Sequence, residues 1–429
     1  MSATSGKRPS PGPASGDVDS RHAWWRLAAA VALGTIGGVG LWSIVVSLPE
    51  VQAEFGVARG AASLPYSLAM VGFMIGGVLM GRLADLRGVA LPVTLGSLCL
   101  GAGYIAIAFA PGLWSFAAIY AVLIAMLGSS AVFAPLVADT SLWFRRRRGI
   151  AVAICASGNY LAGAFWPPVL QALTAAHGWR LAHMGIGFFC LATMLPLTLA
   201  LRRPSPGQAE EAGRAAAPPG EGTAGAPSAD LVQLLLVLAG IACCVAMAMP
   251  QVHIVAYCVD LGYGAARGAE MLSLMLACGV VSRLVFGGIA DRIGGRATLL
   301  LGSGLQAVAL ALFLPFDGLV SLYAISAVFG LFQGGIVPSY ALIVREVFPP
   351  REAGARVGLV LSATLLGMAL GGWMSGAIFD ATGSYQAAVL NGLGWNALNL
   401  GIALWLLRSQ WRGRPAMALD ARAGAGRTG

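Results

Sequence analysis

The sequence predicts an all-α membrane protein, with twelve transmembrane helices in two pseudo-symmetric six-helix bundles. Three observations carry that prediction. Of 429 residues, 58% are hydrophobic and only 10% charged, whereas a soluble domain carries about 25% charged residues. Apolar runs of about 20 residues, enough to cross a hydrocarbon core of about 30 Å as helices, recur along the chain. Two similar loops stand 206 positions apart, close to half the chain length.

The predicted spans cover roughly 27–48, 61–83, 90–109, 114–140, 149–173 and 181–201, then 231–259, 269–289, 297–314, 318–344, 355–378 and 387–407. Most connections are short. The exception is 202–230, "RRPSPGQAEEAGRAAAPPGEGTAGAPSAD", whose Pro, Gly and Ala content with scattered charge reads as a flexible linker. The domains are therefore a disordered tail (1–23), a first bundle (24–201), the linker (202–230), a second bundle (231–408) and a second tail (409–429). The first 20 residues are rich in Ser, Pro and Gly and lack an apolar core, so they read as a tail and not as a cleavable signal peptide.

Formal net charge is +9, and every basic residue except Lys7 is arginine. Such an excess can mark a polyanion partner, but its distribution marks membrane topology. With both termini inside, 23 of the 27 basic residues fall in cytoplasmic segments, including the run Arg145 to Arg148 in "WFRRRRGIAVAICASGNYLAGAFWPP". Only Arg59, Arg180 and Arg267 face the other side, and Arg283 alone is embedded in a span. This is the positive-inside pattern of a multi-pass protein in a bacterial-type cytoplasmic membrane. No nucleic-acid partner is expected. The seven cysteines all lie in apolar segments without metal-ligand spacing, so they read as small buried hydrophobes. No metal and no cofactor are expected.

The paired loops are "GRLADLRG" (81–88) and "GGIADRIGG" (287–295), each at a cytoplasmic turn six spans from the other. Parallel six-helix halves predict such a repeat. The loops resemble the signature of the major facilitator superfamily between its second and third helices and the echo of that signature between the eighth and ninth. The resemblance implies gating roles for Asp85 and Asp291, flanked by Arg87 and Arg292, in latching the cytoplasmic gate of the outward-facing state. A carboxylate is favoured near a helix N-terminus. The other reading of both loops is a plain helix-breaking turn.

The stretch 143–163, "GWR" (178–180), "MPQVHIVAYCVDLGYG" (249–264) and "GAIFDATGSYQAA" (376–388) resemble the monocarboxylate transporter branch and its bacterial relatives. The likeness runs over residues 24–410. It implies a secondary transporter for a small organic anion, working by alternating access.

Ionisable groups inside spans are expensive and functional by default. Asp139 is the one acid beyond the outermost turns, and Arg283 the one embedded base. Arg283 lies six residues before the end of its span, about 9 Å inside the boundary. Along its own helix, Glu270 and Asp291 stand about 20 and 12 Å away and cannot reach it. A substrate carboxylate is the natural partner, since a guanidinium grips one through two parallel hydrogen bonds. Backbone carbonyls, Asp139 or water are the other readings.

The monocarboxylate branch carries an arginine at this point, matched by Arg283 in "VVSRLVFGGIAD". It also carries an Asp four residues earlier, where this chain has Gly279, and a Lys in the first helix, where this chain offers only Trp42 or its neighbours. Both are tied to proton coupling in that branch, so a lactate-type proton symport does not carry over. The missing second cation favours a monoanion over a dicarboxylate.

Asn159 and Tyr160 stand about 15 Å into the fifth span, placed to hydrogen-bond a substrate opposite Arg283 or to bridge helices. Tyr257, one turn after His253, and Gln333 in the tenth span are weaker candidates for the substrate site. His253 can titrate near physiological pH and couple protons or gate the outer mouth, or it can be a satisfied polar residue. Asp139 is the other candidate for proton coupling. The expected partners are the bilayer, a small organic anion and possible co-transported protons, with the chain acting as a monomer. A drug efflux pump is the runner-up, weakened by the lack of a midplane carboxylate and of a Gly-Pro motif in the fifth span. A membrane enzyme needs a cluster of reactive groups at one face, and His22, His177, His183 and His253 are dispersed. No enzymatic activity is expected.

Overall fold

The computed structural model describes residues 18–144, 146–203, 229–348 and 350–412. The expected tail over 1–17, the linker over 204–228, the tail from 413 onward and Arg145 lie outside them. Among the described residues, ten helical segments are long and apolar enough to cross a membrane. One of these, Gly149–Leu201, runs for 53 residues and holds two arms that turn at Gly178. Its φ of +77° is open to glycine at little cost. The arms match the predicted spans 149–173 and 181–201. A further helix, Gly295–Ala311, has 17 residues and matches the ninth predicted span.

In chain order the first half holds α1 (Arg21–Gly37), α2 (Val39–Val46), α3 (Leu48–Phe55), α4 (Arg59–Arg87) and α5 (Ala90–Ile107). α6 (Leu113–Ile119) continues through a π-helix (Tyr120–Gly128) and a 3₁₀ turn (Ser129–Val132) into α7 (Ala134–Trp143), followed by α8 (Arg148–Ala156) and α9 (Gly158–Thr198). The second half holds α10 (Ala229–Asp260), α11 (Ala265–Ile293), α12 (Gly295–Ala311), α13 (Leu319–Gln333), α14 (Ile336–Val347), α15 (Pro350–Thr382) and α16 (Tyr385–Arg412).

The fourth and tenth predicted spans are therefore not continuous helices. The fourth loosens into π and 3₁₀ turns, and the tenth breaks at Gly334–Gly335. The reason is close packing. A Cβ at Gly72 or Gly76 of α4 would run into the carbonyls of Ala121 and Met126, and one at Gly335 into the ring of Phe286. Hydroxyls take up carbonyls at the first break: Ser129 Oγ donates to Gly37 O (2.9 Å) and Ser130 Oγ to Met126 O (2.5 Å). Gly128 and Gly334 stand 206 positions apart, the same offset as Asp85 and Asp291. The repeat therefore covers the helix breaks as well as the loops. Gly88 and Gly294, which end the two loops, share it too, with φ of +79° and +81°.

Within the first half α5 packs along α9 and α4 along the π-helix; within the second, α10 lies against α15 and α16, and α11 against α13. The halves meet along two seams, α4 on α15 and α9 on α11. Small residues let backbones approach there: a Cβ on Gly376 would stand 2.9 Å from the Cα of Gly60. Both seams are antiparallel, which leaves one arginine-rich end and one opposite end. At the arginine-rich end, a cleft of about 300 Å³ draws together Arg26, Asp85, Arg87, Asp139, Arg202 and Arg203.

A second expectation changes here. Arg283 is not the only arginine taken into the protein: Arg26 and Arg59 are 3% and 7% exposed. Sequence position puts both at span edges, but carboxylates from distant segments draw them in.

Candidate functional site

The seam between α9 and α11 holds Arg283. Ten residues short of the end of α11, its guanidinium lies over the ring of Tyr160, with Cζ 4.0 Å from the centroid. Its Nη1 makes one long bond to the carbonyl of Ala156 (3.4 Å), and its buried Nε has no partner. Tyr160 also fills the space beside Gly279, one turn earlier on α11. A Cβ there would stand 2.5 Å from Tyr160 Cε1. The position where an acid could serve Arg283 along its own helix is thus occupied by a neutral ring. A cation over such a ring gains about 0.5–2 kcal/mol, which leaves the guanidinium held but not neutralised.

Neighbouring groups extend the polar patch. Trp42 of α2 donates its Nε1–H to the carbonyl of Asn159 (3.2 Å), while the buried Asn159 Oδ1 has no partner. Trp42 and Leu276 both close on Gly163, joining α2, α9 and α11. At the second helix break, Gly334 N–H donates to Ser282 Oγ (3.1 Å), the residue before Arg283. Gln333 accepts from Gln251 Nε2 (2.5 Å), and its own Nε2 is buried without a partner. A buried polar atom left unpaired costs about 1–3 kcal/mol. Such atoms occur on Gln333 at the second break, on Arg283 in α11, which packs against α13, and on Asn159 in α9, which packs along α11. Broken helices are where transporters place their substrate sites.

The opposite end is tied shut across the halves. Arg59, the first residue of α4, bonds Asp260 at the end of α10 through Nη1 (2.7 Å) and Nη2 (3.1 Å). The same Nη1 donates to Tyr385 Oη (2.7 Å), and the guanidinium lies over Phe379 (4.6 Å). The backbone N–H groups of Arg59 and Gly60 donate to the two oxygens of Asp380 (2.8 and 2.7 Å). That carboxylate therefore caps the positive end of α4. His253 belongs to this network: Nε2 meets Gly372 O (2.8 Å) and Nδ1 meets Tyr385 Oη (3.2 Å). Tyr257 packs edge-on against Tyr385. Nearby, in α3, burial pushes the Glu50 carboxyl up, partly offset by a backbone hydrogen bond, and its Oε2 has no partner.

At the arginine-rich end, Asp139 takes Arg26 in a two-pronged pair, Nε–Oδ2 2.9 Å and Nη2–Oδ1 3.0 Å. Arg26 also donates to Ala200 O (3.2 Å) and lies over Trp143. Asp139 is therefore engaged within its own half and not with Arg283. Asp85, Arg87, Asp291 and Arg292 are exposed. In the second half Glu346 accepts from Gly295 N–H (2.9 Å) and so caps α12.

Of the predicted site residues, Arg283 and Tyr160 are in contact, Asn159 is beside them on α9, and Gln333 is one residue from the break that bonds Ser282. Tyr257 and His253 are drawn to the opposite end. Sequence reasoning missed Arg59, Asp260, Asp380, Tyr385, Gln251 and the partner of Asp139. Each missed pairing joins segments tens to hundreds of residues apart, and no local spacing announces it.

A model of the Major Facilitator Superfamily matches residues 30–319 and 259–427, overlapping matches that together take in most of the chain. The chain belongs to the major facilitator superfamily. It is thus a multi-pass integral membrane protein of a transporter family, and among its relatives are monocarboxylate transporters. Monocarboxylate transporter 13 of Bos taurus is 26% identical over 276 residues, 61% of this chain and 60% of that transporter. Monocarboxylate transporter 11 of Homo sapiens is 28% identical over 402 residues, 89% of this chain and 82% of that one. A solved peptide transporter POT in complex with sulfate superposes with a TM-score of 0.71 at 15% identity, covering 92% of this chain and 97% of that one. At that identity the likeness speaks for the superfamily fold alone.

Proposed function

We propose that this protein is a secondary transporter of a small organic monoanion, most simply a monocarboxylate. It works by alternating access in a bacterial-type cytoplasmic membrane, with the arginine-rich end and both termini in the cytoplasm. The two arms about Gly178 and the short α12 complete twelve spans. They divide into bundles over 24–201 and 231–408.

One observation carries the substrate reading. Arg26, Arg59, Arg180, Arg267 and Arg356 each hold a carboxylate within 4 Å. Arg283, half-buried in the inter-half seam, holds none among the described residues and keeps an unpaired Nε. A charge-assisted bond to a carboxylate fits that vacancy in hydrogen bonding. Tyr160 orients the guanidinium, and Asn159 and Gln333 offer an acceptor and a donor for the rest of the substrate. The Arg59 network closes the outer mouth, which leaves Asp85, Arg87, Asp291 and Arg292 free for the opposite, outward-facing state. His253 steadies that outer closure through Tyr385, with Tyr257 packed against the same ring.

The test is uptake of labelled monocarboxylates into proteoliposomes by the full chain and by Arg283→Gln. The expected result is saturable uptake that the variant loses at least tenfold. Normal carboxylate transport by Arg283→Gln would sink the reading.

A further inference from the structure

We propose that transport here is an obligate exchange of anions, because no carboxylate among the described residues pairs with Arg283, so the substrate supplies its counter-charge and the empty carrier reorients slowly. The inference rests on the assignment of Arg283 as the anion site.

Alternating access moves the α9–α11 seam, and Arg283 sits in it. A carrier that must return empty needs some way to neutralise such a cation while the seam is dry. A neighbouring carboxylate that gains and loses a proton is one way, and this protein has closed that route. The turn before Arg283 is Gly279, and the ring of Tyr160 occupies its side-chain space. Asp139 is committed to Arg26, and His253 to Gly372 and Tyr385. Tyr160 offers a π-face only. With substrate bound, the carboxylate supplies the missing charge and the two can be enclosed as a pair. Without it, the guanidinium is enclosed nearly bare. Stripping one partner from a buried pair is strongly unfavourable, and the ring offsets a part of that. The empty return is therefore slower than the loaded one by roughly 10- to 100-fold.

The experiment uses the full chain in proteoliposomes with the potential clamped by potassium and valinomycin, and labelled acetate, lactate, pyruvate and benzoate as probes. Vesicles are either preloaded with the same unlabelled anion or left without it. Uptake into preloaded vesicles is expected to exceed uptake into the others by 10- to 100-fold. Equal initial rates in the two sets would overturn the proposal, as would an inward proton gradient that drives uptake into anion-free vesicles at the exchange rate. A second variant keeps the test independent of wild-type kinetics. Tyr160→Ala with Gly279→Asp clears the ring and puts a carboxylate one turn before Arg283. This double variant is expected to raise net uptake relative to exchange, and an unchanged ratio in a folded variant counts against the proposal. Failure of the underlying site assignment looks different: Arg283→Gln exchanges like wild type, or no probe enters either set of vesicles.

Discussion

Replacing Asp139 by Asn separates a structural role for this buried acid from a role in proton coupling. Asp139 and Arg26 are joined by two bonds of 2.9 and 3.0 Å, and their side chains are 10% and 3% exposed. Removing one partner of such a pair typically costs about 3–5 kcal/mol, because the other charge stays buried and uncompensated. The cost here belongs at the low end, about 3 kcal/mol, since Arg26 keeps Ala200 O and the face of Trp143. The two single variants are not equivalent. A guanidinium cannot shed its proton, whereas a lone carboxylate can take one up, so Arg26→Met is expected to cost less than Asp139→Asn. Replacing a buried pair by apolar residues of similar volume is often neutral or stabilising, so Arg26→Met with Asp139→Leu is expected to recover wild-type stability. The assay is the monodisperse fraction left after heating in detergent, followed by transport of a labelled carboxylate. The expected order is wild type and double variant together, then Arg26→Met, then Asp139→Asn. An Asp139→Asn protein as heat-resistant as wild type would refute the buried-pair argument. A double variant that is stable but inactive would return Asp139 to the transport cycle.

Three further outcomes are expected. Arg59→Gln removes two bonds to Asp260 and one to Tyr385, so spin labels on the outer ends of α4 and α15 should show a new, longer distance; an unchanged distribution would mean the network does not hold the outer end closed. Tyr160→Phe keeps the aromatic face and should transport nearly as wild type, whereas Tyr160→Leu should lose about 3- to 30-fold, the worth of a cation–π contact; equal loss in both would shift the role to the hydroxyl. Because burial raises the Glu50 carboxyl, that residue's contribution is most favourable at low pH and is lost as pH rises through the raised value. Glu50→Gln should therefore melt higher than wild type at neutral pH, with the gap closing on acidification, and a gap independent of pH would contradict this.

Spans, repeat and Arg283 were legible because each is a local or periodic signal. A run of 20 apolar residues declares itself, and the 206-residue offset links Asp85 to Asp291 without any coordinates. Arg283 stood out for a similar reason: one charge in an apolar run is costly wherever the chain goes. The same reasoning misjudged Arg26 and Arg59, whose places near span ends read as solvent or headgroup contact. Their partners, Asp139 and Asp260, lie 113 and 201 residues away. Hydropathy likewise spoke for unbroken fourth and tenth spans, because the breaks arise where Gly72 and Gly76 pack on the fourth span and Phe286 packs on Gly335.

Amino-acid order alone places this chain in a membrane as repeated helices and reveals a cation that lipid would not tolerate unaided. Hydrophobic transfer and charge desolvation act residue by residue, so composition and order suffice to reveal them. Which of the embedded charges already hold a partner emerges only once the helices are packed together. Ion pairing depends on side chains meeting at 3 Å, and that distance is set by how helices far apart in the chain pack. Two buried arginines found acids there; Arg283 found the face of a tyrosine.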